Sequence, residues 1–187
     1  LSKVLGLYFL SIKNYLTKRY STKEIEKLKN VLNKKEYNIL MNLNPKMFYP
    51  IQYYINVNKA IVKIFNQEDI SLLKKIGRFT ADESIRGIYR IFFSFGAPQF
   101  IIKRASIVFR KYFDQGNLTI IDCTDNSLTI ELNGFEKEIS KDIKYICTQI
   151  EGWIERTIEI TSGREIMINQ KKCISNGDTS CLFYCSW

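Results

Sequence analysis

The chain has 187 residues and a mass of 22.0 kDa, with 45% hydrophobic and 13% aromatic residues, enough apolar side chain for a core without disulfide or metal support. It contains no histidine, which argues against a Ser-His-Asp triad, a Cys-His pair, imidazole ligation of haem and mixed Cys/His zinc fingers. The formal net charge is +9, yet the basic residues come as short pairs such as Lys34 and Lys35, Lys103 and Arg104, and Lys171 and Lys172, a dispersion that argues against a nucleic-acid surface.

In chain order, Val4, Leu5, Tyr8, Phe9, Ile12, Tyr15 and Leu16 recur at helical spacing. That opening stretch carries Lys3 and Lys13, is too short in its apolar run to span a bilayer, and lacks the cleavage pattern of a secretory signal. The expected setting is therefore reducing and cytoplasmic. Ser21 and Glu24 form a capping box before "TKEIEKLKNVL", and Pro45 and Pro50 interrupt helical structure. A helix is predicted from Ile51 to about Phe65, and a longer one from the N-cap Asp69 through "ISLLKKIGRFTADESIRGIYRIFFSF" to the break at "GAPQ". A further helix, "QFIIKRASIVFRKYF", runs to Gly116.

The period then changes. "NLTIIDCT" and "SLTIELN" read as a hairpin turning at Asp125 and Asn126. Ile143, Ile146, Cys147, Ile150, Ile154 and Ile158 make the apolar stripe of a helix stopped by Gly163. "REIMINQKKC" and "TSCLFYCSW" are predicted strands joined across "ISNGD", where Asn176 and Gly177 are expected to supply positive φ. The fold class is α+β: an N-terminal helical region, then a small antiparallel sheet in hairpin-helix-hairpin order packed against helices. We treat 1–187 as one domain, with a helical subdomain over 1–115 and an α+β subdomain over 116–187.

Two stretches on this framework carry charge or sulfur in a pattern. Arg78, Asp82, Arg86 and Arg90 fall four residues apart on one helix face, either a charged network at a pocket mouth or a solvated ladder, and Gly77 and Gly87 on that helix permit close packing. Cys181 and Cys185 lie about 13 Å apart along an extended strand and cannot bridge one another. Cys173 and Cys181 end and begin the two arms of a hairpin, and Cys147 sits on the helix face turned toward the sheet, so three sulfurs converge at one corner. The residues alone leave buried thiols, a metal site and a Cys173–Cys181 disulfide open, since no CxxC pair is present. Cys123 is expected to serve packing. "ISNGDTS" lacks the GK[ST] element of a phosphate loop, and no dinucleotide fingerprint occurs, so no nucleotide is expected.

The stretch "CTQIEGWIERTIEITSGREIMINQKKCISNGDTSCLF" resembles the 4-vinyl reductase type of small-molecule-binding domain, on Cys147, Gly152, Cys173, Gly177, Cys181 and Phe183. Upstream, "MFYPIQYY" and "GRFTADESIRGIYRIF" resemble a bacterial family, abundant in myxobacteria, in which a helical region precedes that domain. The resemblance implies a structural zinc on Cys147, Cys173 and Cys181, with Gln170 standing where the aromatic-effector sensors have a glutamate ligand; from the lack of histidine, no haem is expected. It also implies an apolar ligand cavity lined by Phe92, Phe93, Phe109, Phe113, Tyr145 and Trp153, the competing reading being core packing.

The function expected is a non-enzymatic sensory or regulatory domain that binds a small apolar ligand and signals through protein contacts; the alternative is a scaffold keeping the fold without a ligand. The apolar surplus along the opening helix and "IQYYINVNKAIVKIF" predicts a homodimer or hetero-complex through the N-terminal helices, including Tyr8 and Phe9.

Overall fold

The computed structural model describes residues 2–86 and 98–187, apart from the side chains of 85, 86, 98–103, 105 and 161. A short strand, β1 (Lys3–Leu5), runs directly into α1 (Gly6–Arg19). β1 pairs antiparallel with β2 (Phe48–Pro50), joining Val4 to Tyr49, so the first apolar residues start as strand rather than helix. Between them lie α2 (Thr22–Glu26) and α3 (Lys34–Asn42). Both open on capping boxes: Ser21 with Glu24, as the sequence predicts, and Asn33 with Glu36.

α4 (Ile51–Phe65) and α5 (Ser71–Arg86) follow, Asp69 accepting from the Ser71 amide at the head of α5. α6 (Pro98–Tyr112) leads into the sheet. β3 (Asn117–Cys123), β4 (Ser127–Asn133), β5 (Met167–Lys172) and β6 (Cys181–Ser186) form an antiparallel sheet in the order β3-β4-β6-β5, with α7 (Lys144–Ser162) inserted between the two hairpins. The α+β class and the hairpin-helix-hairpin order expected from the change of period are what the structure has.

Alternation fixes which face of the sheet is wet. Leu128, Ile130 and Leu132 on β4 and Cys181, Phe183 and Cys185 on β6 are buried, whereas Tyr184 between them is exposed. α7 closes the sheet region on one side and lies along α5 on another, which leaves it buried along much of its length. Its stop is Gly163 in the left-handed conformation, φ 68°. In the second hairpin Gly177 takes φ 96°, while Asn176 belongs to a 3₁₀ turn; the positive φ expected of Asn176 is not used because one left-handed residue suffices to end that turn.

α1 and α4 are interior helices. Tyr8 and Phe9 are 5% and 0% exposed, and Tyr54, Ile55, Val57 and Ile61 on α4 are equally buried. Rings of Tyr8, Phe9, Tyr54, Tyr112 and Phe113 pack edge-on or tilted at 5.0–5.6 Å. The apolar surplus that pointed to an interface is therefore consumed by a helical core larger than a sheet with one helical cover needs. Among the described residues, no helix is long and apolar enough to cross a membrane.

Candidate functional site

Three cysteines meet where α7 starts and the second hairpin turns. Cys147 sits in the first turn of α7, its amide donating to Ile143 O at 2.8 Å. Cys173 follows β5 and is anchored by its amide to Asp178 Oδ2 at 2.8 Å. Cys181 opens β6 opposite Leu132. The Cys147 S–H donates to the Cys181 sulfur at 3.2 Å, and Cys181 donates to Cys173 at 3.8 Å. All three sulfurs lie within 4.8 Å of one another, so the corner at which the sequence brings these residues together is present, and the spacing is close enough to share an ion. The Ile174 amide also points at the Cys181 sulfur, and Ser175 Oγ lies 3.0 Å from that of Cys173.

This arrangement makes the three thiols unequal. Hydrogen bonding from Cys147 and then from Cys181 draws Cys173 far below an ordinary thiol, against the opposing effect of burial. Burial first, and its place beside the sulfurs of Cys173 and Cys181 second, pushes Cys147 well up. For Cys181 the bond from Cys147 lowers the value, but its own donation to Cys173 together with burial outweighs that and leaves it raised. Of the three, Cys173 is the sulfur that its neighbours favour as thiolate, with the Cys181 S–H donating to it. Cys173 is also the outermost, at 6% exposure against 0% for the other two.

Cys185 lies outside this group, against Leu128 and Ile168 in the sheet register, and burial pushes it up to about 12. Cys123 is exposed on β3 rather than packed, because the strand carries a bulge at Ile121 and leaves the core before reaching it. Gln170 stands opposite Phe183 in the β5–β6 register, and its buried Nε2 has no hydrogen-bond partner among the described residues.

The aromatic residues expected around a ligand are spread out. Phe109 and Phe113 stack at 4.7 Å in the helical core with Phe135 edge-on to both, and Trp153 is buried on α7. Tyr145 is half-buried beneath the ammonium groups of Lys59 and Lys144, and Phe92 and Phe93 lie outside the described residues. Three clefts of about 540, 440 and 220 Å3 open on the surface, and none of them is lined by Phe109, Phe113, Tyr145 or Trp153.

In the charge ladder, Arg78 holds Glu159 with both terminal nitrogens and Glu155 at 2.6 Å, while Arg156 bridges Asp82 and Glu159. Arg86 as a side chain and Arg90 lie outside the described residues. A buried polar triad went unread in the sequence: Tyr54 donates to Gln149 Oε1, and Asn58 exchanges bonds with Gln149 at 3.2 and 3.3 Å. Nothing in composition distinguishes these residues, but Asn58 and Gln149 both fall on otherwise apolar helix faces, which is the available signal.

No known protein family matches the chain by sequence, and no curated protein does. Solved structures do match in fold. An H-NOX protein from S. oneidensis in its Fe(II)NO state superposes with TM-score 0.72 at 12% identity, over 97% of this chain and 98% of that one. The unliganded Fe(II) H-NOX protein from K. algicida gives 0.69 at 13%, over 97% and 95%. The H-NOX from S. woodyi, solved with IWP-051 bound in its Fe(II)CO state, gives 0.67 at 12%, over 97% and 93%. The chain has the H-NOX fold.

That finding corrects two expectations. The resemblance to the 4-vinyl reductase type of domain does not hold, since a different fold accounts for nearly the whole chain; the zinc carried over from that resemblance loses its basis with it. The exclusion of haem also falls, because the structures sharing this fold are haem-binding iron proteins and haem iron is held by thiolate or phenolate as well as by imidazole. Of such donors the described residues offer the clustered cysteines, which bond to one another, and buried tyrosines such as Tyr54, which is bonded to Gln149, and Tyr8, which is packed ring against ring with Tyr112. By themselves these residues do not compose a haem cradle.

Proposed function

We propose that this chain is a non-enzymatic sensory domain that reads a small oxidant of the peroxide class at the Cys147, Cys173 and Cys181 cluster. The observation that carries the reading is the geometry: the sulfur of Cys173, the outermost of the three, lies 3.8 Å from the Cys181 thiol that donates to it, and its neighbours draw it below an ordinary thiol. The fold supports it in class, since its solved relatives include states with NO and CO on Fe(II), small molecules read by a protein.

The chemistry balances within the pair. The Cys173 thiolate attacks one peroxide oxygen; an S–O bond forms, the O–O bond breaks, and the leaving hydroxide takes a proton from solvent. Cys181 then loses its proton and attacks the Cys173 sulfenic acid, forming the S–S bond and releasing water. Two thiols lose two electrons and one peroxide becomes two waters. Closing the sulfurs from 3.8 Å to a bond of about 2.05 Å pulls the turn after β5 toward β6, and Cys147 loses its partner.

The test uses reduced protein, treated with a chelator, in a Cys123→Ser background so that the exposed thiol does not report. Peptide mapping after limiting hydrogen peroxide is expected to find a Cys173–Cys181 disulfide, Cys181→Ser to stop at the Cys173 sulfenic acid, and Cys173→Ser to be inert. A cluster that stays reduced while peroxide in excess oxidises methionine overturns the proposal and favours the scaffold reading.

A further inference from the structure

The cleft of about 440 Å3 lies between the last turn of α1, the middle of α5 and Arg156 of α7. Four cations line it, Arg19, Lys75, Arg78 and Arg156, against a single acid, Asp82. We propose that this cleft binds a small, multiply charged phosphate-type anion. The proposal is independent of the thiol reading, since no residue of the sulfur cluster takes part.

Two of the cations are free to act. Arg19 and Lys75 are exposed and neither forms an ion pair among the described residues. Arg19 is nevertheless fixed in place: its guanidinium sits 4.1 Å from the centre of the Tyr15 ring and 5.5 Å from that of Phe79, two rings that themselves meet edge-on at 5.5 Å. An arginine laid on an aromatic floor keeps its N–H fork for a ligand while losing little freedom on binding one.

The other two arginines supply a fixed positive wall. Arg78 and Arg156 are tied to Glu155 and Glu159, carboxylates that do not line the cleft, so their charge is oriented from behind and each is about a third exposed. Only Asp82, bonded to Arg156 Nε at 3.0 Å, faces the same space. With Arg78 and Arg156 offset by Glu155, Glu159 and Asp82, the two uncompensated charges of Arg19 and Lys75 suit an anion with more than one charge. The open guanidinium fork of Arg19 favours phosphate oxygens. The volume falls within the range of small-molecule sites and is too small to seat a protein.

Phosphate of this kind occurs free or on a lipid headgroup, and titration calorimetry of the full chain at low ionic strength separates these sources. With inorganic pyrophosphate as probe, one saturable site is expected, weakening as salt rises. Arg19→Ala and Lys75→Ala are each expected to lower affinity about tenfold, the scale of one charge-assisted hydrogen bond, whereas Lys63→Ala, an exposed lysine outside this cleft, leaves it unchanged. Both cleft side chains are exposed, and an unchanged melting curve will verify that the variants fold. Pyrophosphate binding without co-sedimentation of phosphoinositide vesicles assigns a free phosphate; binding of both, with mutual competition, assigns a headgroup. Absence of saturable pyrophosphate binding, equal loss in Lys63→Ala, or adsorption to anionic vesicles that pyrophosphate fails to displace overturns the proposal.

Discussion

Gly77→Ala is the most direct probe of how α5 and α7 hold the molecule together. A Cβ at position 77 would overlap the carbonyl oxygen of Gln149 and lie 2.8 Å from its carbonyl carbon and 3.0 Å from the Trp153 nitrogen. The converse holds at Gly152, whose Cβ would overlap the Lys74 carbonyl oxygen and lie 2.9 Å from its carbon. These obstacles are backbone, so no rotamer change relieves them and the helices must part by roughly 1 Å to restore normal carbon contact. Alanine brings a helix-propensity gain of about 1 kcal/mol over glycine, while overpacking costs about 1–3 kcal/mol and parting the helices also loosens the interface around them. The expected net loss is about 2 kcal/mol, which for a chain of this length lowers the melting temperature by about 4–8 °C. Urea unfolding and calorimetry measure it. The double variant Gly77→Ala, Gly152→Ala should cost less than the sum of the two, because the first substitution already opens the gap the second needs. A neutral or stabilising Gly77→Ala would show that the backbone approach is not as described and that propensity alone governs the position.

Gln149→Leu strands the Tyr54 hydroxyl and the Asn58 Oδ1 in a buried site, the Asn58 Nδ2 keeping its bond to Tyr145 O, and should cost about 2–4 kcal/mol, while adding Tyr54→Phe should recover part of that loss; additive costs in denaturant unfolding would refute the shared network. Glu159 is held below the ordinary carboxylate range because its bonds to Arg78 and then Arg156 outweigh burial. A depressed carboxylate contributes stability above its unfolded value and loses it as pH falls through the folded one, so stability should decline below about pH 4.5, by about 1 kcal/mol for this pair, and Arg78→Gln should flatten that decline in acid titrations followed by circular dichroism. Because Cys173 is lowered, its reaction with peroxide should be nearly independent of pH from about 6 to 9, where an ordinary thiol gains close to tenfold per unit below its pKa; a tenfold rise per unit in stopped-flow rates would mean that Cys173 is an ordinary thiol.

Local signals in the sequence carried further than global ones. The Ser21 and Glu24 box, the Gly163 stop and the hairpin around Asp125 and Asn126 depend on neighbours within a few residues, and each is found where it was expected. The convergence of Cys147, Cys173 and Cys181 was legible because a helix stripe and a hairpin register between them fix where three side chains point. The α+β class and the hairpin-helix-hairpin order were legible, whereas the likeness to the H-NOX fold was not. At 12–13% identity to the H-NOX structures, few individual residues are held in common, and one fold accepts many hydrophobic sequences of suitable volume and patterning. Placing an interface on Tyr8 and Phe9 went astray for a related reason: an amphipathic stripe shows that a helix buries one face, but not whether the covering surface belongs to the same chain. Tyr8 and Phe9 are covered by α4 and α6 residues more than 40 positions away.

These features meet on one helix. α7 presents Cys147 in its first turn, Gln149 to the buried triad with α4, Gly152 to the backbone of α5, and Arg156 and Glu159 to the ion pairs that border the basic cleft. A rigid helix with a backbone contact at its middle cannot take up a shift at one end by bending there, because Gln149 and Lys74 carbonyls already sit against Gly77 and Gly152 with no space to yield. Loss of the Cys147 bond at the sulfur cluster must then be accommodated either by local rotation of the first turn or by movement of α7 as a body against α5. The two differ at the far end. Local rotation leaves the Arg78, Arg156 and Glu159 geometry intact, whereas movement as a body strains the bidentate Arg78–Glu159 pair, whose fixed fork tolerates little sliding. Amide exchange of the last turns of α7, compared between reduced and peroxide-treated protein, distinguishes them, and faster exchange near Glu159 on oxidation is the outcome that this packing requires of a transmitting helix.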